Sequence, residues 1–155
     1  MIRRVSRERV LSAALLILIL WVGTGLRLYD LESKSLRGDE IFTDLRSAQR
    51  LSEIVTMSNL EIDAGGRGID ALVARVPLLY ALTHTARWLG EGAFFLRLQA
   101  AFSGVLGIAL LFALGSRLYD QATGILGAGL LAVSPLHVYF SQDARYYPPL
   151  VMLAM

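Results

Sequence analysis

Two acidic residues stand side by side at Asp39 and Glu40, in the stretch Arg37-Gly38-Asp39-Glu40-Ile41-Phe42-Thr43-Asp44. A carboxylate at such a position can take the proton of an attacking hydroxyl in a transition state. The pair comes soon after the first strongly apolar segment, and acids held beside a bilayer carry a cost that points to function. Asp39 is therefore read as facing a lipid-linked substrate at the outer surface of a membrane. A second polar cluster, Ser134 to Tyr147, contains His137, Asp143 and Arg145 among Tyr139, Tyr146 and Tyr147. Taken alone it is an ordinary interfacial anchor with an aromatic belt. The bland reading of Asp39 is a helix cap, its side chain accepting from free N–H groups. Arg46 and Arg50, with Asp44 and Glu53 nearby, read as a solvated helix face with ion pairs. His84 receives no role, His137 reads as an interfacial residue, and Trp21 and Trp88 as packing or interface anchors.

The elements that must hold these residues are membrane helices. The chain has 155 residues, 55% of them hydrophobic, with a mean hydropathy of +0.53. That is too apolar for a soluble domain of this size. The chain has no cysteine, which removes disulfide, zinc-thiolate and cysteine-nucleophile chemistry. A net charge of +2, with acids scattered among the bases, gives no support to nucleic-acid binding. Arg3, Arg4, Arg7 and Arg9 precede an uncharged run, which predicts a first span over about 10–28 with a cytoplasmic N-terminus. A cleaved signal peptide is the rival, but no clean Ala-x-Ala site follows and more spans come later.

Residues 29–96 are predicted to form an outer loop. Ile41, Phe42, Leu45, Ala48, Leu51, Ile54 and Val55 recur at helical spacing, so a helix from about Glu40 would lie in the interface with its apolar side down. Ala64 to Gly68 breaks it. Val76 to Leu89 is short for a span and suits a re-entrant or interfacial helix. If it does not cross, Asp39 and Asp143 share one side of the membrane. Further spans are predicted at about 97–116 and 121–140, with another opening at Pro148, and their glycines suit close helix contact. Pro135 can loosen the end of the third. The sequence stops inside an apolar run, so the expectation is the front part of a longer protein, inactive by itself.

In order, the chain offers a span, an outer loop with Asp39-Glu40, and Phe94-Phe95-Leu96-Arg97-Leu98 opening a glycine-rich span. Gly115-Ser116-Arg117-Leu118-Tyr119 follows, and then Ser134-Pro135-Leu136-His137-Val138-Tyr139-Phe140-Ser141-Gln142-Asp143-Ala144-Arg145-Tyr146-Tyr147. This arrangement resembles the N-terminal module of C-type (GT-C) membrane glycosyltransferases. The most similar set is the family 39 group, which includes protein O-mannosyltransferases and aminoarabinose transferases of lipid A. The order and spacing cover nearly all 155 residues, and Ser141 to Tyr146 is the most specific stretch.

The resemblance implies an all-α, polytopic enzyme that moves a sugar from a polyprenyl-phosphate donor to a glycan, lipid or protein acceptor at the outer membrane face. It gives Asp39 the role of catalytic acid or base, with Glu40 its neighbour and Asp143 a second acid. Arg97 and Arg145 are the implied donor-phosphate ligands, a role that suits the planar guanidinium fork. Relatives often carry His-Pro-Pro-Leu where this chain has Arg75-Val76-Pro77-Leu78, so details borrowed through that motif do not transfer. No nucleotide-binding glycine loop occurs, which fits a lipid donor. Neighbouring acids could also hold a hard divalent cation through oxygen ligands. The competing class is a transporter half or assembly subunit. Transporters place broken helices or charges near the midplane, whereas the three uncharged runs here have clean centres.

Overall fold

The structure is a computed structural model and describes residues 7–56 and 77–155. All regular elements among these residues are helices: α1 (Arg7–Leu28), α2 (Gly38–Ser47), α3 (Leu51–Thr56), α4 (Pro77–Arg87), α5 (Ala93–Leu118), α6 (Gln121–Val133), α7 (Pro135–Ser141) and α8 (Tyr147–Ala154). The described residues are thus all-α, as expected. The Ala64–Gly68 breaker and the Arg75-Val76 pair lie outside the described residues.

Val10–Leu28 and Ala93–Leu118 are each long and apolar enough to cross a membrane. The third apolar run departs from expectation, for α6 and α7 meet at 61° and reach spanning length only together. Pro135 causes the break, because it has no N–H to give the preceding turn and its ring collides with it. Ser134 takes an extended backbone there, and its Oγ accepts from the His137 N–H at 3.5 Å to start α7.

The long helices form one bundle. Ile108 of α5 packs against Ala128 and Ala132 of α6, flanked by Ile19, Leu20, Phe112 and Leu131. Near the α5–α6 turn the two helices touch through glycine. A methyl placed on Gly124 would come within 2.7 Å of the Phe112 carbonyl oxygen. The large apolar side chains Trp21, Leu126 and Leu130 point outward. Lipid tails are as apolar as leucine, so such faces carry no penalty in a bilayer.

The short helices gather over one end of the bundle. Ile54, Leu79 and Tyr80 make a second small core with Ala81 and Tyr146. The Gln142 amide donates to the Leu26 and Tyr29 carbonyls at 3.0 Å each, which pins the end of α7 to the end of α1. Asp39, Asp143 and the start of α5 therefore share one end, and the Tyr119-Asp120 turn lies at the other. With 11 residues, α4 rises about 16 Å and cannot cross a ~30 Å hydrocarbon core.

Three boundaries differ from the sequence expectation. The helix predicted to run on through Val55 is two helices, interrupted at Ala48 to Arg50. A fresh start is favoured there because the Glu53 carboxylate accepts from the Arg50 N–H at 3.3 Å. Helix α5 begins at Ala93 rather than at Arg97, which puts Arg97 inside the helix. Helix α2 begins at Gly38 with Arg37 at its N-cap, so Asp39 is in the first turn and is not the cap. Glu40 does that work instead, its carboxylate accepting from the Arg37 N–H at 3.1 Å. The inward face of α2 is polar, with Glu40, Thr43 and Ser47 buried, while Ile41, Phe42 and Leu45 face outward.

Candidate functional site

Beneath the site lies a buried ion pair. Glu40 and Arg97 are 1% and 2% exposed. The Arg97 Nε donates to Glu40 Oε1 at 2.8 Å and its Nη2 to Oε2 at 2.7 Å, a two-point pairing. The remaining Arg97 donors reach the Leu31, Lys34 and Ser35 carbonyls at 2.7, 3.0 and 3.3 Å. All five guanidinium N–H groups are thus engaged inside the protein. Arg97 has no donor left for a phosphate in this arrangement, although the resemblance gives it that role. Glu40 also accepts from the Ala144 N–H at 3.0 Å. Burial alone would raise the Glu40 carboxyl, but the hydrogen bonds from Arg97, Ala144 and Arg37 hold it below the ordinary value. One carboxylate therefore ties together the loop after α1, the start of α2, helix α5 and the loop after α7.

One residue before Glu40 the helix points elsewhere. A step along α2 rotates the side chain by about 100°, so Asp39 leaves the buried seam. Its side chain is 51% exposed, and it forms an ion pair with Arg145, itself 30% exposed. The two face a cavity of about 200 Å³ whose other walls are Thr43, Leu79, Tyr80, Tyr146 and Tyr147. Thr43 is fixed by donating its hydroxyl to the Asp39 carbonyl at 3.1 Å. Tyr146 and Tyr147 stack at 4.5 Å between ring centres, and Tyr147 packs on Phe140 at 4.7 Å. The result is a small pocket with one carboxylate, one guanidinium and a phenolic wall. Tyrosine offers such a wall an apolar ring face together with a polar hydroxyl.

Asp143 lies outside the walls of that cavity. It is half-buried, and burial raises its carboxyl above the ordinary value. The charge of Glu40 adds to the rise, while Arg37, Arg97 and Lys34 oppose it. Arg37 in turn donates to the Tyr139 hydroxyl and lies over that ring, 5.4 Å from its centre. The geometry thus brings Asp39 and Arg145 together at the pocket, places Glu40 and Arg97 below them, and sets Asp143 to one side.

Three residues carry more structure than their sequence context indicated. Arg27, at the edge of the first apolar run, is fully buried and bridges to α6 and α7. His137, read as interfacial, is its partner at 2.8 Å. His84 meets the Ser47 carbonyl through Nδ1 at 2.8 Å, which ties α4 to α2 beside the Arg87–Asp44 ion pair. The signal available for Arg27 was only that a charge ended an apolar run, and most such charges are solvated. Asp44 pairs with Arg87 across to α4, where the sequence pointed to partners on its own helix.

Among the described residues, no group of three His, Asp or Glu side chains is arranged to hold a metal ion. Asp39 and Glu40 turn to different surroundings, and the Glu40 carboxylate already accepts from Arg37, Arg97 and Ala144. Compared with family models, curated proteins and solved structures, the chain finds no match.

Proposed function

We propose that this chain carries the acid site of a membrane glycosyltransferase. The enzyme moves a sugar from a polyprenyl-phosphate donor to a glycan, lipid or protein acceptor at the outer membrane face, with inversion at the anomeric carbon. The observation that carries the reading is the pairing of an accessible carboxylate, Asp39, with a half-open arginine, Arg145, on a small tyrosine-walled cavity at one end of a membrane bundle. The roles follow from charge. The acceptor oxygen attacks the anomeric carbon while Asp39 takes its proton. The bond from that carbon to the phosphate oxygen breaks, and the lipid phosphate leaves with its electron pair. Arg145 meets the growing charge on that phosphate. A donor phosphate that draws Arg145 onto itself releases Asp39 from the resting ion pair, so donor binding would free the base. Glu40 and Arg97 act as positioning residues beneath Asp39, and Asp143 adjusts the local charge from outside the cavity.

A specific observation favours a second reading, a transporter component: the break between α6 and α7. Broken helices in transporters leave carbonyl ends that hold cations. Here the carbonyls of Leu131 and Ala132 accept from Arg27, which already fills that place. The transferase reading is therefore preferred.

The test uses membranes containing the protein, supplied with labelled polyprenyl-phosphate sugars, and compares wild type with Asp39→Asn at equal protein levels. Loss of transfer by about 10²-fold or more, with insertion unchanged, is the expected result. Transfer at the wild-type rate in Asp39→Asn would remove Asp39 from the chemistry. Transfer by neither protein, with uptake of a small solute in the same membranes, would favour the transporter.

A further inference from the structure

The α6–α7 break leaves a problem that Arg27 solves. Where a helix stops, its last carbonyls lose their partners, and in a membrane an unpaired carbonyl is costly. Pro135 cannot donate, and Ser134 N–H reaches Leu131 O only at 3.4 Å. Arg27 Nη2 donates to that same Leu131 oxygen at 3.2 Å, and Nη1 donates to Ala132 O at 3.1 Å. The remaining Nη1 and Nη2 donors go to Gly23 O and His137 Nδ1, both at 2.8 Å. A cation at the carbonyl end of a helix is also favoured by the helix dipole. One guanidinium thus touches its own helix α1, the last turn of α6 and the first turn of α7.

The surroundings close tightly on that group, with the four Nη donors paired and Nε buried without an acceptor. Arg27 is 0% exposed. Gly104 of α5 faces it, and a methyl there would come within 2.9 Å of Arg27 Nε and 3.0 Å of Ser141 Cβ. The contact also fixes the histidine. A guanidinium can only donate, so His137 Nδ1 is an acceptor and a neutral ring holds its proton on Nε2. Ser141 donates to the His137 carbonyl at 2.6 Å. One residue later Gln142 is pinned to Leu26 and Tyr29, and Ala144 and Arg145 then reach Glu40 and Asp39.

We infer that Arg27 is the positioning residue of the broken span: its guanidinium is a built-in cation that holds α7 bent away from α6 and so delivers the 142–147 loop to the Asp39 pocket. Only the consequence for Asp39 rests on the transferase reading; the bend itself does not. A lysine cannot replace it fully, because an ammonium is one compact centre with three donors, whereas four acceptors here lie around a planar fork.

The test reads geometry without any substrate. Cysteines replace Tyr29 and Gln142, and a short bis-methanethiosulfonate reagent joins them in membranes. With Arg27 present the pair is expected to cross-link readily. In Arg27→Ala the yield should fall at least fivefold, with insertion into membranes unchanged. Added methylguanidinium should restore it, while methylammonium at the same ionic strength should not. Arg27→Lys should fall between the two and serves as the reading if Arg27→Ala is not stably made. A yield within twofold of the parent in Arg27→Ala, or equal to it in Arg27→Lys, would overturn the proposal. So would equal rescue by both cations, since that would point to charge alone rather than to the fork. Because sugar transfer is not measured, failure of the transferase reading would leave this result standing.

Discussion

Adjacent carboxylates here do opposite things, and the reason is rotation. Glu40 falls on the side of α2 that meets α5, and Asp39 falls on the side that meets the cavity. Sequence showed the pair and its neighbourhood. It could not show which member turns inward, because both positions fit a first helical turn. It also could not show that Arg97, a natural phosphate ligand by residue type, is consumed by Glu40 and three carbonyls. A buried pair of this kind is costly to break singly, since the survivor is left as an uncompensated charge. Glu40→Gln is therefore expected to lower stability by about 3–5 kcal/mol. Adding Arg97→Gln should cost less than the sum of the two single changes, because one interaction is shared. Denaturation in detergent across pH separates this from a packing loss. The folded Glu40 carboxyl sits below its ordinary value, so its stabilisation is complete above about pH 4.5 and fades as pH falls through the folded value. The gap between wild type and Glu40→Gln should narrow in that acidic window. A gap that stays constant down to about pH 3 would show that charge is not what Glu40 contributes.

Helices were the most legible level, since two of the uncharged runs became single long helices almost where expected. The third did not, and the difference is instructive. Pro135 marked a weak point, but a proline alone does not say how far a helix bends. The 61° angle depends on Arg27 from one helix and Gly104 from another, and neither relation is local. The loop helix split at Ala48 to Arg50 for a similar reason: its apolar spacing continues, while capping favours a restart. Glycines pose the same question of context. Gly124 sits against the backbone of α5, with a methyl there meeting Phe112 O at 2.7 Å and Ser116 N at 2.9 Å. Backbone cannot step aside as a side-chain end can. Gly124→Ala is expected to cost about 1–3 kcal/mol by overpacking. Gly25, in the last turn of α1, has nothing within 4 Å of such a methyl. Gly25→Ala should leave stability unchanged or raise it by up to about 1 kcal/mol, as alanine is the better helix former. Unfolding of both variants in detergent checks the pair. Equal effects would show that the α5–α6 contact at Gly124 can open to admit a methyl.

At the scale of the molecule, the decisive relation is which parts share an end. From sequence this hung on whether Val76 to Leu89 crosses the membrane. The 11-residue α4 and the contacts from Glu40 to Ala144 and from Asp39 to Arg145 put residues 29–56, 77–92 and 142–147 at one end of the bundle. The first residues of α1 and the Tyr119-Asp120 turn occupy the other. The proposed catalytic carboxylate, fed by a lipid donor, would need a polar cap of this kind over membrane helices. The chain contains no cysteine, so single cysteines report cleanly on this arrangement. With a membrane-impermeant maleimide on intact cells, cysteines replacing Ser33 and Glu91 should label together, and one replacing Asp120 should label only after the membrane is opened. The expected direction rests on Arg3, Arg4, Arg7 and Arg9 at the N-terminal end of the first apolar run, since basic flanks favour the cytoplasmic side. Labelling of Asp120→Cys alone on intact cells would keep the fold but invert it, and the pocket would then face the cytoplasm, where an outer-face donor could not reach it. Labelling of Ser33→Cys and Glu91→Cys from opposite sides would require a crossing between them. That would break the shared end on which the pairing of Asp39 with Arg145 depends.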